Sequence, residues 1–450
     1  MKLDVYVAGQ LVGALGEEPA SMGVFTYAPH VAPEQLVSLT MPVRNRSYEY
    51  GRGPHPVFQM NLPEGYRKDL LRQTVGPHAD TSDLGLLALT GVNGIGRIQA
   101  VPHGHALSSV DAQEDMASVL ASTDSRESLL KLLRSDLYEG VSGVMPKSFA
   151  AEKPAKPDSK ITTQTPGWIL KTGSENLPWI AINEYLCLEV ARAAKLTVPE
   201  TQLSDDGQVL AVKRFDRQDG GRMLAFEDFC SLAGLLPADK YNGFGHRKAS
   251  MESMPVILKE RVALDNRSED MARLFTLHLI NYALRNGDAH LKNFGLLYTN
   301  QRDVRLSPAF DIVTVTVYPH LLRDTPALTL AGKKTWRCGK DLHDMAARTM
   351  QLTPIVRNGC LEIVQQAVQA VLPEVQRRVE QFPGFRETAK LMLAEWAKGL
   401  DDIKPTAKPG TTEAPVSFVE QLGLSGPKGS ARKVANPYKN QDGAFSHKAR

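Results

Sequence analysis

Apolar and polar positions alternate along residues 3–14, LDVYVAGQLVGA, and the alternation breaks at Ala8-Gly9. Patterning with a period of two predicts two half-buried strands joined by a hairpin turn. Gly23–Tyr27 and Leu36–Met41 read as further short strands. The pattern turns helical from Leu62-Pro63-Glu64, and Asp83–Leu89 reads as a helix that stops near Gly91. Residues 111–138 are charged and helical in period, whereas AEKPAKPDSK (151–160) is polar, Pro-rich and loop-like. WILKTG (168–173) and VLAVKRFDR (209–217) read as strands flanking a helix over 182–195. One face of that helix carries Ile182, Tyr185, Leu186, Glu189, Val190 and Ala193. MARLFTLHLINYAL (271–284) is apolar almost all round, the mark of a buried helix.

These elements predict an α+β protein of two lobes. A small α+β unit occupies residues 1–105, a strand-bearing small lobe 106–240 and a helix-rich large lobe 241–400. Residues 401–450, rich in Pro, Gly, Lys and Ser, read as a disordered basic tail. At 450 residues the chain is too long for one simple core, in keeping with this division. No internal repeat is evident.

A net charge of +3 makes no electrostatic case for whole-chain binding to nucleic acid or membrane. No apolar run reaches the roughly 18 residues of a membrane span. Asp4 interrupts MKLDVYVAGQLVGAL, which therefore reads as a first strand and not as a signal peptide. Cys187, Cys230, Cys338 and Cys360 are scattered without metal spacing, which predicts free thiols and a cytoplasmic location. The histidines of PHGHA (102–106) lack a third ligand nearby.

The candidate chemistry follows the buried helix, in RNGDAHLKNFG (285–295). Asn286-Gly287 reads as the helix stop. That leaves Asp288 and Asn293 unexplained. Their five-residue spacing matches the Asp and Asn of a protein-kinase catalytic loop, in which the Asp accepts the attacking hydroxyl's proton and the Asn reaches a metal ion. A second metal-binding Asp is needed downstream. Asp311 supplies it at the end of a hairpin-like pair, GLLYTN and DVRLSPAFDI. Upstream, Lys171 at the end of WILKTG suits a strand lysine that holds phosphates. The helical count puts Glu189 on the apolar face, where a carboxylate needs a partner. Glu184 falls on the other side. GVSGVMPK (140–147) has the glycines and lysine of a phosphate loop without a full motif, and GVNGIGR (91–97) reads as a structural turn.

In order, LDVYVAGQLVGAL, NLPEGYRKDLL, SGVMPK, IAINEYLCLEVARAAKLTVPET, LAVKRFDR, NGDAHLKNFGLL and LSPAFDIV resemble the HipA family of bacterial toxin kinases over residues 3–395. The resemblance implies a protein-kinase-like fold and serine/threonine phosphorylation with ATP and Mg²⁺. It implies Asp288 as catalytic base with His290 beside it near the phosphates. Asn293 and Asp311 match metal ligands, and Lys171 the phosphate-binding lysine. Ser142, Gly143 and Lys147 fall in the phosphate loop, and Glu227 and Phe229 in the segment that holds adenine. The family's helix glutamate falls at Glu184, against the helical count. The resemblance further implies a helix-turn-helix antitoxin of HipB type, operator DNA contacted through it, and a translation component such as an aminoacyl-tRNA synthetase as substrate. Some members carry a regulatory serine where this chain has Gly140; Ser142 is the corresponding candidate here for autophosphorylation, which would add roughly −1.5 to −2 charge to the loop.

Two other readings compete. D-x-H-x-x-N also occurs in small-molecule phosphotransferases of the aminoglycoside and choline kinase type, which usually have His where this chain has Asn286 and lack the N-terminal unit. A non-catalytic co-regulator is the third.

Overall fold

The computed structural model describes residues 1–18, 22–75, 80–107, 116–142, 161–164, 167–322, 324–405 and 417–424. The N-terminal unit is built on a five-stranded antiparallel sheet. Its spatial order is Tyr48–Tyr50, Met22–Tyr27, Gln10–Glu18, Lys2–Val7 and Ile98–Pro102. The alternation of the first strand buries Leu3, Val5 and Val7 in a core of its own. The hairpin turn falls at Ala8-Gly9, both with positive φ, where glycine is favoured. Leu36–Met41 is not a strand. It forms a buried turn closed by a Ser38–Met41 bridge, because Ser38 and Leu39 are drawn toward the Glu227 carboxylate, described below.

The small lobe is a four-stranded antiparallel sheet in the order Ile161–Gln164, Trp168–Thr172, Val209–Lys213, Thr201–Leu203. The helix Ile180–Ala193 packs against it and against the long helix Pro354–Gln381. The large lobe is centred on Leu264–Ala283, whose second half is buried from Asp270 onward, as its all-round apolar pattern predicts. Pro354–Gln381 and Arg386–Asp402 pack on it. A three-stranded sheet, Ala225–Asp228, Gly295–Tyr298 and Arg305–Leu306, contains the expected hairpin pair.

The C-terminal stretch is not all tail. Ser417 caps a short helix, Phe418–Gln421, and Phe418 and Leu424 bury themselves in the main core. Two large apolar side chains suffice to dock a short segment even in a Pro- and Gly-rich context. The four cysteines are free and buried. Among the described residues no helix is long and apolar enough to cross a membrane.

Candidate functional site

A cavity of about 1020 Å³ lies where the three units meet. Lys171, Asp288, His290, Asn293 and Asp311, which are far apart in sequence, all line it.

Lys171 sits in the strand Trp168–Thr172, paired with Leu210 on one side and Thr162 on the other. Only 8% of it is exposed. Its ammonium contacts the Glu184 carboxylate and the Asp311 Oδ1, the latter at 2.8 Å. Glu184 is 1% exposed. Glu189 instead pairs with Arg192 along its own helix, partly exposed, so it is Glu184 and not Glu189 that meets the lysine. A buried carboxylate beside a buried ammonium relieves the desolvation cost that either charge alone would carry.

The loop after Leu264–Ala283 turns on Arg285, which takes a left-handed φ of 57°. The expected stop at Asn286-Gly287 is therefore displaced by one residue. Arg285 holds this conformation through an ion pair with Asp402 at 2.6 Å and the face of Trp336. Asn286 has a different task. Its Nδ2 donates to Asn281 Oδ1 at 2.7 Å and to the Asp311 carbonyl at 3.2 Å. Asn293 Nδ2 donates to the Asp288 carbonyl at 3.1 Å and reaches the Asp311 carbonyl at 3.5 Å. Asp311 itself has φ of 59°. The two asparagines thus clamp a residue in a sparsely populated backbone region beside the lysine.

Asp288 is exposed to the cavity, and its Oδ1 accepts a hydrogen bond from the Tyr241 hydroxyl at 2.7 Å. His290 lies beneath, 7% exposed, with its ring edge-on to Tyr241 and its Nδ1 buried without a partner among the described residues. Burial pushes the imidazole down to about 4, despite the opposing pull of Asp288. At neutral pH it is an uncharged group beside the carboxylate. Lys292 crosses to the N-terminal unit, where its ammonium meets the Met60 carbonyl at 3.1 Å and the Glu64 carboxylate. Lys240 pairs with the same carboxylate at 2.7 Å. Burial would raise Glu64, but the two ammonium groups outweigh it and hold the carboxyl down at about 2.

Along Ala225–Asp228, Phe226 and Asp228 line the cavity, and Glu227 and Phe229 turn away. The Glu227 carboxylate is fully committed to the N-terminal unit and its own sheet. It accepts from Ser38 Oγ at 2.6 Å, Leu39 N at 2.7 Å and Tyr298 OH at 2.6 Å. Phe229 is wholly buried in the core. Neither side chain therefore lines the cavity, so a nucleotide contact from Glu227 or Phe229 would have to come from the main chain. Strand alternation explains it: one face of this edge must pack on the N-terminal unit. Asp228, on the cavity face, is raised by burial to about 6.

Ser142 ends the helix Ser125–Ser142, and Gly143 and Lys147 lie outside the described residues. GVNGIGR is a turn, as expected, but one that reaches the small lobe: Gly96 N donates to Asp216 Oδ2 at 2.7 Å, and Ile95 lines the cavity.

Among the described residues no group of three or more His, Cys, Asp or Glu side chains converges as a metal cage. One carboxylate and one amide oxygen, from Asp311 and Asn293, nevertheless suit Mg²⁺, a hard cation commonly held by one or two protein oxygens together with substrate phosphates. Among the described residues Asn293 spends only its Nδ2, which leaves its Oδ1 available for such a partner. The residues present fit the ion.

This arrangement, a strand lysine paired with a helix carboxylate and with a second Asp, in one cavity with an Asp–Asn loop, defines a kinase-like α+β protein. Family profiles identify it further. One described as the HipA-like C-terminal domain matches residues 140–379, and one described as the HipA N-terminal domain matches residues 3–101. The chain belongs to the HipA family and is a HipA-like kinase. It is 25% identical over 429 residues to the "Putative kinase Y4dM" of Sinorhizobium fredii, covering 89% of this chain and 95% of that protein. It is 25% identical over 392 residues to "Putative kinase Y4mE" of the same organism, covering 82% and 90%. Among solved structures, HipA of Shewanella oneidensis MR-1, in a complex with HipB and its operator DNA, superposes with a TM-score of 0.65. That match covers 90% of this chain and all of the other at 17% identity, so it speaks to the fold.

Proposed function

We propose that this kinase transfers the γ-phosphoryl group of ATP to a serine or threonine hydroxyl of a protein, with Asp288 accepting the hydroxyl proton. One observation carries the reading: the exposed Asp288 carboxylate shares a cavity with a Lys171–Glu184 pair and Asp311. Lys171 offers its ammonium to the nucleotide phosphates, and Glu184 keeps that ammonium in place. Asp288 takes the proton as the acceptor oxygen forms its bond to phosphorus and ADP departs. His290, uncharged, lies close to the transferred group without adding charge. Asn293 and Asp311 would hold Mg²⁺, which would supply charge neutralisation at the phosphates.

The family resemblance extends the proposal. It favours a translation component such as an aminoacyl-tRNA synthetase as acceptor, and self-modification at Ser142, the last residue of the helix Ser125–Ser142. It also favours a HipB-type helix-turn-helix partner that carries the complex to operator DNA; the Shewanella HipA is in a complex with HipB and its operator DNA.

Incubation of the purified chain with γ-labelled ATP and soluble cell extract tests the reaction. Label in a protein band, absent with Asp288→Asn, is the expected result. Label confined to small molecules would instead favour a phosphotransferase of the aminoglycoside or choline kinase type, and no label a non-catalytic co-regulator.

A further inference from the structure

The segment Leu236–Asn242 carries no sequence motif, yet it braces the loop that holds Asp288. Asp239 fixes its start by accepting from Leu236 N at 3.1 Å and pairing with Arg52 at 2.6 Å. The Lys240 carbonyl accepts from Leu291 N at 3.5 Å, and its ammonium pairs with Glu64. Lys334 Nζ reaches the Tyr241 carbonyl, also at 3.5 Å. Main chain on both sides of Tyr241 is thereby tied down. The ring then stands edge-on to His290, centroids 5.1 Å apart at 76°. The hydroxyl reaches Asp288 Oδ1 at 2.7 Å. Among the described residues this is the one side-chain hydrogen bond to the Asp288 carboxylate.

A carboxylate has two oxygens and about four lone-pair sites. An exposed aspartate left unheld exchanges among rotamers, and general-base transfer depends on the oxygen lying within hydrogen-bond reach of the proton. One donor on Oδ1 fixes the carboxylate plane and leaves Oδ2 open. Burial and the neighbouring Asp288 both raise the phenol, so the hydroxyl keeps its proton and acts as donor throughout the working range.

We propose that Tyr241 is a positioning residue for phosphoryl transfer: its hydroxyl holds the Asp288 carboxylate by one oxygen so that the other faces the acceptor hydroxyl. The inference rests on the reading of Asp288 as proton acceptor.

The test compares full-length wild type, Tyr241→Phe, Tyr241→Leu and Asp288→Asn in the labelling reaction with cell extract, recording maximal rate, half-saturating ATP and unfolding midpoint. Tyr241→Phe keeps the ring against His290 and removes only the oxygen. Its maximal rate is expected to fall roughly 10- to 100-fold, the scale of a small misplacement of a reacting group. Half-saturating ATP and unfolding midpoint stay at wild-type values, because Tyr241 acts on the base. Tyr241→Leu loses the same rate and also some stability. An unchanged rate in Tyr241→Phe, with Asp288→Asn inactive, overturns the inference while leaving the Asp288 reading intact. A faster Tyr241→Phe also overturns it, since the hydroxyl would then be competing with the acceptor. A weaker ATP dependence equal to the rate loss would mean a general structural role and overturn it too. Full activity in Asp288→Asn removes the Asp288 reading first and this inference with it.

Discussion

Two clusters of charge in this chain are built in opposite ways. At the seam between the N-terminal unit and the small lobe, Asp216 is gripped by Arg214 at 2.7 Å, Arg217 at 2.6 Å and Gly96 N at 2.7 Å. Arg214 also donates to Asn93 Oδ1 and the Gly94 carbonyl, both at 2.6 Å, and Arg217 to the Gly96 carbonyl at 2.7 Å. The side chains of Arg214 and Asp216 are 0% and 1% exposed. Both border the cavity, yet their polar atoms face the turn at residues 93–96. In the cleft, by contrast, Asp311 keeps 26% of its side chain exposed beside Lys171, and Asp288 is exposed with one oxygen held. The seam is saturated and fastens two units together. The cleft leaves the Asp288 carboxylate and part of the Asp311 side chain exposed to space that a nucleotide and an acceptor can enter. Buried charge alone therefore does not mark the site; carboxylates that stay exposed beside the cavity do.

The largest effects that sharpen this contrast lie at Lys171. Lys171→Met removes the cleft's ammonium, and the transfer rate at subsaturating ATP is expected to fall about 10²- to 10³-fold, the scale of losing one preorganised electrostatic group. Glu184→Gln keeps a hydrogen-bonding partner and loses only the charge, so its fall is smaller, roughly ten-fold. ATP titrations of the labelling rate read both. If Glu189→Gln matched Glu184→Gln, the pairing described here would be wrong.

A smaller effect concerns Asp228, on the cavity face. Burial lifts its carboxyl from an ordinary value of 3.8 to about 6. A raised folded value means that the protonated form suits the native state, so its contribution to stability is present below pH 4 and is lost as pH rises toward 6. Asp228→Asn, which retains an oxygen for Ser231 N, is expected to gain stability relative to wild type across that window. Denaturant midpoints at pH 4 and pH 7 measure it, and a pH-independent difference would refute it.

Much of the cleft was legible because its chemistry is local. Asp288 and Asn293 share one loop, and the all-round apolar run before them announces a buried helix. Lys171 lies at the end of a recognisable strand. What escaped is set by contacts between distant segments. Helical periodicity favoured Glu189 because Ile180–Ala193 is buried on nearly every side, so no single face identifies the carboxylate that needs a partner. The partner, Lys171, is on another element. The Glu227 side chain faces away from the cavity, because Ser38 and Leu39 of the N-terminal unit claim it. The glycines of GVNGIGR predict a turn but not the arginines that receive it. Tyr241 has no pattern at all, although Lys292, inside the catalytic-loop motif, could have pointed to a polar partner such as Glu64. The segment 417–424 shows that two well-placed apolar residues can anchor a chain whose composition reads as disordered.

The most direct test sets the two clusters against each other by measuring transfer rate per folded molecule and unfolding free energy for Asp288→Asn and Asp216→Ala. Asp288→Asn is expected to lose transfer by about 10²-fold or more at unchanged stability. Asp216→Ala leaves Arg214 buried without its carboxylate and is expected to lose about 3–5 kcal/mol of stability while its folded fraction keeps transferring phosphate. Transfer that survives Asp288→Asn, or that vanishes in folded Asp216→Ala, would contradict the assignment of chemistry to the open cluster and cohesion to the closed one.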